Sequence, residues 1–178
     1  MTGDALMGYA TVACGALLVT VFTASGVGKV RDPAEFAASI GALGLFPGRP
    51  SVLVARVLTG AELLVVLALG SSPVLGGGFA LAGFAGGAVL SACFCAGLAL
   101  VLKRGVRARC NCFGRAGAEY SARHVIRNAL LVVVALAGGA ASTAPGAVSF
   151  PGAVVAASAG LVLGLLVIAM DDLVALFR

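Results

Sequence analysis

Apolar residues fill five long stretches of the chain, and polar residues gather in the shorter segments between them. About 20 apolar residues suffice for a helix to cross the hydrocarbon of a membrane. The pattern therefore predicts an all-α, polytopic bundle of transmembrane helices in a single membrane domain. The five predicted spans cover residues 5–27, 52–69, 79–102, 125–142 and 152–170.

A short interfacial helix is predicted over residues 33–44, between the first two spans. Asp32 is a good N-cap residue, Pro33 suits the first helical position, and Glu35 stands where a capping box places its acid. Apolar residues then recur on one face at spacings of four and three, which is typical of a helix lying on the membrane surface. They are Phe36, Ile40 and Leu43.

The ends of several spans are also marked in the sequence. Lys29 and Arg31 are expected at the membrane interface after the first span. Ser71-Ser72-Pro73 predicts a break after the second span, and Gly76-Gly77-Gly78 predicts a hinge before the third. The small residue pairs Gly83/Gly87 and Gly160/Gly164 have the spacing that allows helices to approach closely in lipid.

Composition and charge agree with this membrane class. The chain has 178 residues, of which 61% are hydrophobic and 11% charged, too apolar for a soluble globule. The net charge of +5 is a topological signal and does not predict nucleic-acid binding, because eleven of the twelve Lys and Arg residues lie in or within about one helical turn of the segments after spans one and three. An integral protein of the bacterial plasma membrane is expected.

Two charged residues inside the second predicted span require an explanation. Arg56 is about one turn into the span and can extend its side chain to the interface. Glu62 lies roughly 15 Å deep, where a carboxylate must be neutral or paired with a cation. Lys29, Arg56 and Arg127 are the candidate partners. Glu62 is then either a functional residue, handling protons or holding the loop described next, or part of a structural ion pair.

The segment 103–124 holds the residues best suited to chemistry, the pair Cys110 and Cys112. Nearby guanidinium groups, above all those of Arg107 and Arg109, favour the reactive thiolate form of both side chains. A disulfide across a one-residue gap has poor geometry and should exchange easily. We therefore refer to residues 103–124 as the redox loop. Its basic residues, with one just beyond it, are Lys103, Arg104, Arg107, Arg109, Arg115, Arg123 and Arg127.

The other sulfurs leave alternatives open. Cys93 and Cys95 point to nearly opposite faces of a helix, so they cannot readily bridge each other, although either could be a resolving thiol. A zinc site built from the two C-x-C pairs has the wrong spacing, and no metal is predicted. The alternative to redox chemistry is that the cysteines are inert, reduced thiols, and Cys14 fits this interpretation. His124, at an expected interface, is more typical of a solvated residue than of a catalytic base.

Four motifs together resemble the MauE (methylamine utilisation) membrane family, which is related to the DoxX-like group. They extend from the first to the fourth span, and the C-x-C-F-G element is the most specific. The motifs are Ser25-Gly26-x-x-Lys29-x-x-Asp32-Pro33-x-x-Phe36, Glu62-Leu63-Leu64, Cys110-x-Cys112-Phe113-Gly114 and Arg127-Asn128.

The resemblance implies a role in forming or reshuffling disulfides together with a thioredoxin-like partner. In MauE itself this role is the maturation of the methylamine dehydrogenase small subunit. The resemblance also implies a four-helix core like those of quinone-linked disulfide-generating membrane proteins. No cofactor is evident in the sequence itself. The chain lacks a second cysteine pair in a loop, so a complete relay to quinone is not predicted.

The leading hypothesis is a membrane thiol–disulfide exchange component, with a thioredoxin-like protein or a disulfide-containing substrate as its partner. A non-catalytic assembly factor or anchor for a thioredoxin-like protein is the first alternative, and a small-molecule transporter is the second. The sequence does not decide which side of the membrane the redox loop faces. The positive-inside rule favours a cytoplasmic redox loop, whereas disulfide formation belongs in an oxidising compartment outside.

Overall fold

A computed structural model describes residues 2–42, 49–104, 109–110, 118–119, 122–144 and 146–176. Within these residues the chain forms six α-helices and one two-stranded antiparallel ladder. The helices are α1 (Thr2–Arg31), α2 (Pro33–Ala42), α3 (Arg49–Leu75), α4 (Gly77–Lys103), α5 (Ala122–Ser142) and α6 (Phe150–Leu176), and the strands are β1 (Arg109–Cys110) and β2 (Ala118–Glu119).

The all-α bundle predicted from the sequence is confirmed. Five of the helices are long and apolar enough to cross a membrane, and α2 is the short helix among the described residues. Four helices form the core, in which α1 contacts α3 and α5, while α4 contacts α3 and α5. The sixth helix packs outside this core against α1, and α2 packs against α3.

The turn between α3 and α4 corrects one prediction. The expected break at Ser71-Ser72-Pro73 is wrong, because α3 continues through Pro73 and ends at Leu75. Proline has no N–H with which to bond the carbonyl of Leu69, and the hydroxyl of Ser72 donates to that carbonyl instead, at 2.8 Å. The chain turns at Gly76, whose φ of +97° suits glycine.

The capping expected of α2 is present. The backbone N–H of Glu35 donates to Oδ1 of Asp32 at 3.0 Å, as an N-cap requires. Phe36, Ala37 and Ile40 form a small buried cluster with Ala55 of α3. The apolar face of α2 therefore covers the start of α3. The expected stop at Gly44 and the Phe46-Pro47-Gly48 turn lies outside the described residues.

Small residues allow the helices to approach closely, as their spacing indicated. A Cβ atom built on Gly160 would lie 2.2 Å from the backbone oxygen of Ala13, and one on Gly83 would lie 2.6 Å from the Leu69 side chain. Each glycine therefore removes a steric barrier between neighbouring helices. Gly160 brings α6 against α1, and Gly83 brings α4 against α3.

Candidate functional site

The two short strands lie within the redox loop and include one of its two cysteines. Cys110 pairs with Ala118, and Arg109 pairs with Glu119. β1 also contacts α2. The backbone of Cys110 is thereby placed at the end of the bundle where α2 lies. Cys112 and Arg107, the other predicted members of this part of the site, lie outside the described residues.

A buried ion pair joins α1 to α3 at this same end of the bundle. The ammonium of Lys29 donates to Oε1 of Glu62, and the hydroxyl of Ser25 donates to the same oxygen at 3.2 Å. Lys29 and Glu62 are 2% and 1% exposed, so neither charge is solvated within the protein. Of the three cations proposed as partners for Glu62, Lys29 is the one bonded to it.

Lys29 also contacts two aromatic rings. Its Nζ atom lies 4.8 Å from the ring centroid of Phe36 on α2 and 4.6 Å from that of Phe94 on α4. Both distances are within the range of a cation–π interaction. One ammonium thus links four helices, α1, α2, α3 and α4.

The sequence did not predict that the Lys29 side chain is buried inside the bundle. The first helix does not end near Val27 but continues to Arg31, so Lys29 remains on a helical face that points into the bundle. Arg31, two residues further on, is exposed. The carboxylate of Glu62 and the two aromatic rings offset the cost of burying the ammonium.

The start of α5 adds three buried polar residues to the same region. His124, Arg127 and Asn128 are each less than 9% exposed. The Asn128 amide donates to the backbone oxygen of His124 at 2.7 Å. Arg127 is close enough to Lys29 for their charges to repel each other. The prediction of a solvated His124 is wrong, because α5 begins at Ala122 and turns the imidazole toward the bundle.

Two buried oxygens lack a hydrogen-bond partner among the described residues. They are Oε2 of Glu62 and the hydroxyl oxygen of Ser91 on α4. Gly83 faces Leu69 and Gly87 faces Val65, so equal steps along the antiparallel helices bring Ser91 level with Ala61, the residue before Glu62. A buried acceptor without a donor is a place for a proton or a water molecule. We call Ser25, Lys29, Glu62, Ser91 and Arg127 the buried polar cluster.

The sequence interpretation missed Ser91 and Phe94. Both lie in an apolar span, where serine and phenylalanine are ordinary residues. Only the packing of α4 in the bundle brings Phe94 to the Lys29 ammonium and Ser91 near the level of Glu62. No sequence signal distinguishes them from the other small or aromatic residues of that span.

Cys14, Cys93 and Cys95, the cysteines of the long helices, are free thiols. Cys95 is partly buried, and its thiol lies 3.7 Å from the backbone oxygen of Val125, whereas Cys93 is exposed on another side of α4. Cys14 is a partly buried free thiol that packs against the main core cluster.

The fold and this region define an integral membrane protein with a cysteine-bearing loop and a buried polar cluster at one end of its helix bundle. Residues 7–141 match the family model described as "Methylamine utilisation protein MauE". The chain thus belongs to the MauE family of membrane proteins associated with methylamine utilisation. No curated protein matches the chain, and no solved structure matches it.

Proposed function

We propose that this protein is a membrane thiol–disulfide exchange component that assists disulfide formation or maturation in a partner protein. Cys110 and Cys112 are its reactive pair. The observation that carries the proposal is the position of Cys110 in a short ladder against α2, in a chain of the MauE family. A thioredoxin-like protein or a disulfide-containing substrate is the partner.

Exchange takes place in two displacement steps. The thiolate of one loop cysteine attacks a disulfide sulfur of the partner, and the partner's other sulfur leaves as a thiolate. The second loop cysteine, as thiolate, then attacks the mixed disulfide. The partner departs with two thiols, and Cys110 and Cys112 are joined as a disulfide. Two electrons have moved to the partner, and the reverse sequence oxidises it.

The arginines of the loop support the first step. Arg107 and Arg109 stand three and one residues before Cys110, and their positive charge stabilises the attacking and leaving thiolates. The strained ring of a Cys110–Cys112 disulfide favours its transfer to another protein.

The buried polar cluster has two roles in this proposal. Lys29 and Glu62 hold α1, α2, α3 and α4 together at the end where the loop emerges. Oε2 of Glu62 is also a proton acceptor for the thiols, either directly or through water.

Replacing both loop cysteines with serine tests the proposal. We expect the Cys110→Ser/Cys112→Ser variant to lose all exchange with a thioredoxin-like protein, measured as the rate of loss of the partner's disulfide. The matched control is Cys93→Ser/Cys95→Ser, which also removes a C-x-C pair and should retain exchange. Full activity of the loop variant in maturing a partner would instead identify a non-catalytic assembly factor.

A second experiment determines the side of the membrane. An impermeant thiol reagent applied to intact cells, with and without prior reduction, labels Cys110 and Cys112 if the loop faces outward. Labelling only after reduction would mean that the pair is held as a disulfide outside. Labelling only in broken cells would place the loop in the cytoplasm, where it would exchange with a reducing partner.

A further inference from the structure

A groove of about 870 Å³ opens between α2 and the first half of α3. This volume lies within the roughly 300–1,000 Å³ of small-molecule sites. The described residues that line the groove are mainly apolar or small, and they include Phe36, Ala55, Gly60 and Leu63. Leu63 is exposed, as is expected where a groove opens to lipid.

The charged side chains in the described lining are both cations. Lys29 forms part of the buried inner wall, and Arg56 is exposed at the rim. No carboxylate is among the described residues that line the groove. The groove therefore combines an apolar channel with positive charge, which is the complement of an anionic amphiphile.

Of the two cations, Arg56 is the one available to a ligand. The ammonium of Lys29 is already bonded to Glu62 and flanked by Phe36 and Phe94. Arg56 forms no salt bridge with any residue that the structure describes. It lies seven residues after Arg49, the first residue of α3, or about 10 Å along the helix. A guanidinium at that depth can reach phosphate oxygens at the membrane boundary and bind two of them at once.

We propose that this groove binds an anionic phospholipid, with its phosphate on Arg56 and an acyl chain along Gly60 and Leu63. The site is independent of the thiol chemistry, because no cysteine is among its described lining residues. Its occupant would stabilise α2 against α3. Since β1 contacts α2, lipid binding would also support the base of the redox loop.

Two substitutions test binding of the lipid headgroup and binding of the acyl chain separately. Arg56→Gln removes the charge, and we expect about tenfold weaker retention of phosphatidylglycerol, with its preference over phosphatidylcholine lost. Gly60→Leu fills the channel, because a Cβ atom there meets nothing within 4 Å and the added side chain enters the groove. We expect this variant to exclude both lipids.

The chain offers a matched control for each variant. Gly70→Leu adds the same side chain to the same helix at a site that is also open but outside the groove. Arg104→Gln removes an exposed arginine at the end of α4. Both controls should bind lipid as the unsubstituted protein does.

Native mass spectrometry of protein released from micelles containing equal amounts of the two lipids measures the result. The inference fails if Gly60→Leu retains as much lipid as Gly70→Leu, or if Arg56→Gln keeps the phosphatidylglycerol preference. It fails equally if Arg104→Gln loses that preference to the same extent, since the basic surface as a whole would then select the lipid. Displacement of the bound lipid by inorganic phosphate would indicate a phosphate site without a chain channel.

Discussion

The two halves of the bundle are held together differently. In the half near the redox loop, helices meet through buried polar groups, above all Lys29 and Glu62. In the half near the α3–α4 turn they meet through apolar and small residues, such as Phe84 of α4 against Gly138 of α5. Seven of the ten described buried polar or charged residues lie toward the loop end, Glu62 and Ser91 lie near the middle of α3 and α4, and Ser142 lies toward the other end. The seven are Ser25, Lys29, Ser39, Ser51, His124, Arg127 and Asn128.

This difference suggests that one half of the bundle serves helix packing and the other serves a chemical function. Without water in the bilayer core, apolar helices gain little from the hydrophobic effect and depend on close van der Waals contact, which the glycine-rich half provides. Buried charges add little stability beyond what hydrophobic residues would give, and they are costly when one partner is missing. Their concentration beneath the loop is therefore better explained by a function at that end than by a need for stability.

The largest expected effect comes from breaking the ion pair. Lys29→Met leaves the buried Glu62 carboxylate without its cation, and we expect a loss of about 3–5 kcal/mol in the free energy of unfolding. Because the chain has no tryptophan, unfolding in detergent is best followed by far-UV circular dichroism. The double variant Lys29→Met/Glu62→Met removes both charges and should recover most of the loss.

The thiol-exchange activity of the double variant shows whether the ion pair is needed for function. If it is stable but exchanges thiols more slowly, the ion pair serves function. If it is stable and fully active, the pair is dispensable and our assignment of Glu62 as proton acceptor is wrong. A Lys29→Met protein as stable as the unsubstituted one would show that the pair does not hold the loop half together.

In the glycine-rich half, a single added methyl group should be the disruptive change. A Cβ atom on Gly138 would lie 2.3 Å from Cε1 of Phe84 and 2.8 Å from Cβ of Cys14. We expect Gly138→Ala to cost about 1–3 kcal/mol through overpacking. Gly139→Ala is the matched control, since its Cβ would lie 3.4 Å from Cβ of Phe84 and alanine favours the helix. Equal melting temperatures for the two variants would contradict tight packing at this contact.

The two halves also differ in how far the sequence could predict them. Hydrophobic run length was enough to predict the five long helices, because a membrane helix must satisfy its own backbone hydrogen bonds. The sequence also showed that Glu62 needed a cation. It could not choose Lys29, because the choice depends on α1 continuing past Val27 and on the rotation of that helix in the bundle.

The other positions that the sequence did not predict have the same physical cause. The burial of His124 and the position of Ser91 are set by the angle and register at which α4 and α5 pack. Such contacts join residues far apart in the chain, and periodicity does not encode them. The continuation of α3 through Pro73 is a local effect, but it depends on the Ser72 hydroxyl bonding the carbonyl that proline leaves free.

The smallest expected effect is at α2, which packs against α3 in the loop half. Asp32→Ala removes the acceptor for the Glu35 N–H, and loss of an N-cap costs about 1 kcal/mol. We expect amide hydrogen exchange within α2, followed by mass spectrometry, to become about fivefold faster while α5 is unchanged. Asp32→Asn keeps a capping oxygen and should exchange at nearly the original rate.

The same variant tests whether α2 supports the redox loop. Because β1 contacts α2, a loosened α2 should also increase the rate at which Cys110 reacts with an alkylating reagent. Cys93, on α4, is the internal reference and should react as before. Faster exchange in α2 with unchanged labelling of Cys110 would mean that the β1–β2 ladder does not depend on this helix.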